Sequence, residues 1–126
     1  MKYKNKKFIK NIIIHSFMKQ SAFVKTLGSS PKIKLLDFFL ENNTFDYTKS
    51  EVAEETGISR VTLNLLWPEL MKNKILIQRR KIANATLYRL NNSSQIVKKL
   101  KELDFFLSKE LSENKIKKQK IKITTH

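Results

Sequence analysis

Gly57 constrains the fold more than any other residue, because it places a sharp turn between two segments that each have a helical pattern. The stretch "EVAEETGISRVTL" runs from Glu51 to Leu63, and Gly57 is one of only two glycines in 126 residues. Without a Cβ, glycine permits the left-handed backbone that ends one helix and redirects the chain. Ser59 then caps the following helix. The segment therefore predicts two helices joined by a tight turn.

Capping signals predict where the other helices begin. Ser30 followed by Pro31 suits the cap and the first position of a helix, which the apolar spacing continues through Glu41. Thr48 or Ser50 can cap the helix before the glycine turn, with a glutamate in its first turn to complement the helix dipole. These signals predict three consecutive helices in the first two thirds of the chain.

The remaining segments divide between strand and helix patterns. Residues 75–82 and 86–90 are β-favouring runs around the dipeptide "AN", which predicts a hairpin with a basic first strand. Residues 45–47 alternate as a short strand does, and residues 94–113 carry an apolar stripe of helical spacing. Residues 21–28 are too short to decide between a strand and a turn of helix.

Charge is the largest compositional feature, and most of its excess lies at the two ends. The net charge is +15: residues 1–30 carry seven lysines and no acid, residues 31–91 ten basic against seven acidic residues, and residues 92–126 nine against four. Basic ends attract a polyanion at long range without reading its sequence. A coding sequence rich in A and T is a second source of the same lysine-rich composition.

Several function classes are excluded or disfavoured. The chain has no cysteine, so disulfides and thiolate sites are excluded, which suits a cytoplasmic protein. His15 and His126 lack partners for a metal site, and no phosphate loop or nucleophile motif occurs, so we expect neither an enzyme nor a cofactor. The apolar run near the N-terminus is too short for a membrane span. Met18 is an alternative natural start.

The same residues resemble a known family. "EVAEETGISRVTL", together with "LMKNKILIQRRKIANATLYRL", resembles the winged helix-turn-helix transcription regulators of prokaryotes, particularly archaeal ones of ArsR or MarR type. "TLGSSPKIKLLDFFLEN" is similar to the first helix of the ArsR-type branch. The resemblance covers residues 22–91 and implies a mainly α fold with a small β-hairpin wing, a winged helix-turn-helix. The apolar stripe beyond residue 91 adds a C-terminal dimerisation-type helix to this fold class. Ile58, Leu63 and Leu66 then occupy buried positions.

Four regions follow from these patterns. They are a basic N-terminal arm with little order (1–19), a winged helix-turn-helix DNA-binding domain (20–92), an amphipathic C-terminal helix (93–113) and a basic tail (114–126).

Double-stranded DNA is the expected partner, with the helix over residues 59–73 in the major groove and the wing over residues 75–90 on the backbone or in the minor groove. With Leu63 and Leu66 inward, the side chains expected to contact bases are Arg60, Val61, Thr62, Asn64 and Leu65. Those expected to contact the phosphate backbone are Lys49, Ser50, Ser59, Arg79, Arg80, Lys81 and Asn84.

The C-terminal apolar stripe predicts a homodimer, because it exceeds what so small a domain covers easily. Its members are Ile96, Leu100, Leu103, Phe106, Leu107 and Leu111. Packing on its own domain is the alternative use of this helix. Two other functions also remain open: a non-specific architectural DNA-binding protein whose tails do most of the binding, and a protein-interaction module acting through Leu65 and Trp67.

Overall fold

A computed structural model describes residues 20–124. Within that range the chain is mainly helical with one small antiparallel hairpin, which confirms this much of the predicted fold class. The predicted arm over residues 1–19 lies outside the described residues. The elements are α1 (Ala22–Leu27), α2 (Pro31–Glu41), α3 (Lys49–Thr56), α4 (Arg60–Lys72), β1 (Leu76–Ile82), β2 (Ala85–Leu90) and α5 (Gln95–Thr124).

The helices begin and turn where the capping residues predict. Ser30 Oγ accepts a hydrogen bond from the Ile33 N–H, and Ser59 Oγ accepts one from the Thr62 N–H. Thr48, and not Ser50, caps α3 in a capping box with Glu51. Gly57 has a φ of 73° in the left-handed region, as its place between α3 and α4 predicts.

The undecided segment over residues 21–28 is a helix. Ser21 caps α1 by accepting a hydrogen bond from the Val24 N–H, and Phe23 and Val24 are buried. α1 packs mainly against α5 and α2. Six residues rarely hold a helix in isolation, so burial of Phe23 against these neighbours stabilises α1.

A single apolar core joins the helices to the hairpin. Ile58 and Leu63 are buried in it as predicted, and Leu66 packs against it from a half-buried position. Trp67 is buried and lies edge-on to Phe39 and to Tyr88. The core also contains Phe23, Leu35, Leu36, Leu40, Val52, Leu70, Ile75, Leu76, Leu90 and Val97.

The hairpin forms where the β-favouring runs predict it and carries one irregularity. β1 pairs with β2 from Leu76 opposite Leu90 to Ile82 opposite Ala85, with a register shift between Gln78 and Arg80. Such a bulge adds one residue to one strand and redirects the side chains around it. The predicted short strand at residues 45–47 is reduced to one antiparallel bridge, between Tyr47 and Tyr88.

The last helix is longer than predicted. The sequence pattern ends it at residue 113 and makes residues 114–126 a basic tail, but α5 continues through Thr124. No glycine or proline lies beyond residue 68 to stop it, and lysine, glutamine and glutamate favour helices. The change from apolar to basic residues marks where the amphipathic stripe ends, but the helix itself continues beyond the stripe. No described helix combines the length and apolar character needed to cross a membrane.

Candidate nucleic-acid interface

A groove lies between the first turns of α3 and α4 and the tip of the hairpin. Four residues predicted to contact DNA line it together: Lys49, Ser50, Arg60 and Asn84. They meet because the Arg60 side chain, at the start of α4, reaches Ser50 at the start of α3, while the tip of the hairpin lines the same groove. The other lining residues are Thr48, Ile82, Ala83, Ala85, Thr86 and Tyr88.

The groove is cationic and offers polar groups. Arg60 Nη1 donates a 2.6 Å hydrogen bond to Ser50 Oγ, and Lys49 Nζ lies 5.5 Å from the centre of the Trp67 ring. Among the described residues that line the groove, none is acidic. Arg60, which we expected at the bases, therefore lies with the residues expected at the backbone. Two fixed cations beside helix amino ends suit a phosphate group.

The outer face of α4 projects away from the core. Val61 is 72% and Leu65 76% exposed, and Asn64 is also exposed. Thr62 is half-buried, and its Oγ1 accepts a 2.9 Å hydrogen bond from Ser59 Oγ, which ties both hydroxyls to the helix cap. Of the residues predicted to contact bases, Arg60, Val61, Asn64 and Leu65 are thus exposed, and only Thr62 is half-buried.

Asp46 gathers three arginines on the hairpin. Arg89 Nε donates a 2.6 Å hydrogen bond to Asp46 Oδ1, Arg80 Nε lies 3.5 Å from Oδ2 and Arg79 Nε 3.9 Å from Oδ1. The bulge between Gln78 and Arg80 brings two consecutive arginines to one carboxylate. Sequence reasoning missed Asp46 and Arg89, because they are 43 positions apart and no local signal pairs them. One carboxylate leaves two of three positive charges unbalanced.

The predicted basic group of the hairpin is divided between its two faces. Lys81 is paired across the strands with Thr86, which lines the groove, whereas Arg80 is paired with Leu87. Residues directly opposite each other point to the same face of a sheet. Lys81 therefore points the same way as Thr86 without lining the groove itself, and Arg80 lies with the Asp46 cluster.

The apolar stripe of α5 is also divided. Leu100 and Leu107 pack against the chain's own core, and Leu111 is half-buried. Ile96, Leu103 and Phe106 are exposed on a neighbouring flank. An apolar recess of about 400 Å³ runs along that flank between Gln95 and Leu103. Half of the predicted dimer interface is thus used within the chain, and half is free.

Three acidic or phenolic groups have raised pKa values. Desolvation by burial, with repulsion from Asp37 and Asp104, raises the pKa of Glu41 to about 7. Burial alone raises the pKa of Asp104, and burial with repulsion from Glu55 and Glu51 raises that of Tyr47. The described residues contain no group of three or more acids or histidines placed to hold a metal ion. Glu41 and Asp104 lie on α2 and α5, away from the cationic groove, whereas Tyr47 is bridged to Tyr88, which lines the groove.

Comparison with known proteins assigns no family. No family model, curated protein or solved structure matches this chain. The resemblance to winged-helix regulators therefore depends on the quoted sequence segments.

Proposed function

We propose that this chain is a DNA-binding transcription regulator of the winged helix-turn-helix type. In this proposal α4 enters the major groove, and the hairpin is the wing that lies on the backbone or in the minor groove. The order of α2, α3, α4 and hairpin supports it, as does the left-handed Gly57 that joins α3 to α4.

The observation that carries the proposal is the cationic groove beside the exposed face of α4. The major groove is about 12 Å wide and admits one helix, and the phosphates on its rim then lie beside the first turn of that helix. Lys49 and Arg60 are positioned there to neutralise phosphate charge, with Ser50 as a further polar contact. Asn64, exposed on α4, has the amide that pairs with adenine.

The free flank of α5 supports a homodimer in the same proposal. Ile96, Leu103 and Phe106 are exposed on one side of a helix whose other side packs on its own domain. Pairing of this flank across a twofold axis removes that apolar surface from water. Two copies of α4 then meet successive major grooves on one face of a duplex, about 34 Å apart.

Selection of bound duplexes from a random pool tests this function. A regulator enriches a sequence, and with about four phosphates neutralised per protomer its log affinity falls with log salt at a slope of about −7 for the dimer. Asn64→Ala is expected to reduce discrimination between sequences, and Lys49→Ala to weaken all sequences alike. Failure to enrich any sequence, or a slope near zero, contradicts the proposal.

A non-specific architectural protein is separated by truncation. A chain lacking residues 1–19 and 114–126 keeps its specific footprint if α4 recognises the base sequence. It loses all binding if the basic ends supply the contacts to DNA. Most of the charge excess lies in these ends, so both the footprint and the affinity must be measured.

A protein-interaction module is the second candidate, because Val61 and Leu65 are exposed and apolar. Trp67, which the sequence grouped with Leu65, is buried and does not contribute to such a face. This candidate predicts binding to a protein that is insensitive to salt, is abolished by Leu65→Glu, and occurs without affinity for any duplex.

A further inference from the structure

The outermost surface of α4 is apolar. Val61 and Leu65 are 72% and 76% exposed, and a spacing of four residues places them one above the other on the same face of the helix. Pro68 is exposed one turn further on. These side chains contribute little to folding, because they remain in water. Their apolar character is therefore explained better by contact with a binding partner.

The surroundings of this strip indicate a polyanion and not an apolar peptide. Lys49 and Arg60 lie in the groove on one flank. On α4 itself Glu69 is neutralised by Lys32, whose Nζ lies 2.8 Å from its Oε1. An apolar strip with positive charge along one flank complements the floor of the major groove and one of its phosphate rims.

Thymine carries the apolar group that the major groove offers, its 5-methyl. Val61 and Leu65 are four residues apart, about 6 Å along the helix axis, and successive base pairs are about 3.4 Å apart on each strand. The two side chains therefore span one to two base-pair steps. Resting on the proposed function, we propose that Val61 and Leu65 read the methyl groups of two thymines within such a step.

The proposed targets are therefore duplexes with closely spaced A·T pairs, whose major-groove edges α4 contacts. Asn64 adjoins both side chains on the helix and is exposed, and its amide suits the adenine of such a pair. Methyl contacts from Val61 and Leu65 then distinguish thymine from cytosine at the neighbouring position.

Replacement of thymine by uracil tests this directly, because it removes the methyl group and leaves the hydrogen-bonding edges unchanged. Duplexes selected by the full chain are resynthesised with deoxyuridine at each thymine in turn. We expect about a fourfold loss of affinity at each of two positions, the effect of one buried methyl. The double variant Val61→Ala, Leu65→Ala is expected to bind thymine and uracil duplexes equally.

Phe105→Ala is the matched control, since Phe105 is an equally exposed apolar residue on α5. It is expected to keep the full preference for thymine. Equal affinity of the unaltered chain for thymine and uracil at every position overturns the inference and leaves the proposed function standing. Unchanged duplex affinity of Leu65→Glu also overturns it and assigns this face to a protein partner. Absence of any duplex binding overturns both.

Discussion

The three arginines around Asp46 are expected to contribute unequally to stability. Arg89 Nε lies 2.6 Å from Asp46 Oδ1, and the two side chains are only 29% and 11% exposed. A hydrogen bond to a charged group contributes about 1.5–3 kcal/mol when it is sheltered from water. Arg89→Ala is therefore expected to lower the free energy of unfolding by about 2 kcal/mol.

Arg79 and Arg80 are expected to matter little for folding. Their Nε atoms lie 3.9 and 3.5 Å from the carboxylate, and both side chains are largely in water. Exposed ion pairs of this kind contribute between about 0 and 1 kcal/mol. Any loss of duplex affinity in Arg79→Ala or Arg80→Ala then reports a lost phosphate contact, because the fold is unchanged.

Thermal unfolding measures the difference, with the fluorescence of Trp67 as the signal. Trp67 is the only tryptophan and is buried in the core. For a domain of this size a loss of 2 kcal/mol corresponds to a fall in Tm of about 10 °C. Arg89→Lys, which keeps the charge without the planar guanidinium, should recover part of it. Equal falls in Tm for all three alanine variants would refute the unequal pairing.

Three further predictions address the turn, a buried acid and the dimer. Gly57 has a φ of 73° and an added Cβ meets no atom within 4 Å, so Gly57→Ala should lower the free energy of unfolding by about 1 kcal/mol through backbone strain alone. Asparagine tolerates the left-handed region, so Gly57→Asn should lower it less. Equal losses for the two variants in urea unfolding would contradict this. The pKa of Glu41 is about 7 in the folded chain against 4.5 for a glutamate in water, so the free energy of unfolding should fall as the pH rises from about 4.5 to about 7. Glu41→Gln should reduce that fall in urea midpoints, whereas Glu110→Gln should not; the same pH dependence in both would contradict the burial of Glu41. Phe106→Glu on the free flank of α5 should give a monomeric mass by light scattering, and Phe105→Glu on another face should not; dimers in both would locate the interface elsewhere.

Short-range signals account for most of what the sequence predicts. Ser30, Thr48 and Ser59 cap their helices through bonds to amides three residues ahead. Gly57 turns the chain by its own backbone freedom. Each of these depends on a few adjacent residues, so the local sequence contains the whole cause. The proximity of Ser50 and Arg60 follows from the Gly57 turn, whereas Asn84 joins them in the groove only through the packing of the hairpin.

Long-range packing accounts for what the sequence does not predict. The salt bridge between Asp46 and Arg89 joins residues 43 positions apart, and α1 forms only because Phe23 is buried against later elements. The division of the α5 stripe has the same origin. Ile96 and Leu100 look alike in sequence, and only the position of α1 and α2 decides which of them is covered.

Backbone amide NMR of the full chain with a selected duplex tests the role of α4 most directly. If α4 enters the major groove, the largest chemical-shift changes occur in residues 60–65 and at the hairpin tip, Ala83 and Asn84, and they persist at a salt concentration that abolishes binding to an unrelated duplex. Changes confined to residues 1–19 and 114–126, with residues 60–65 unaffected, would contradict the account.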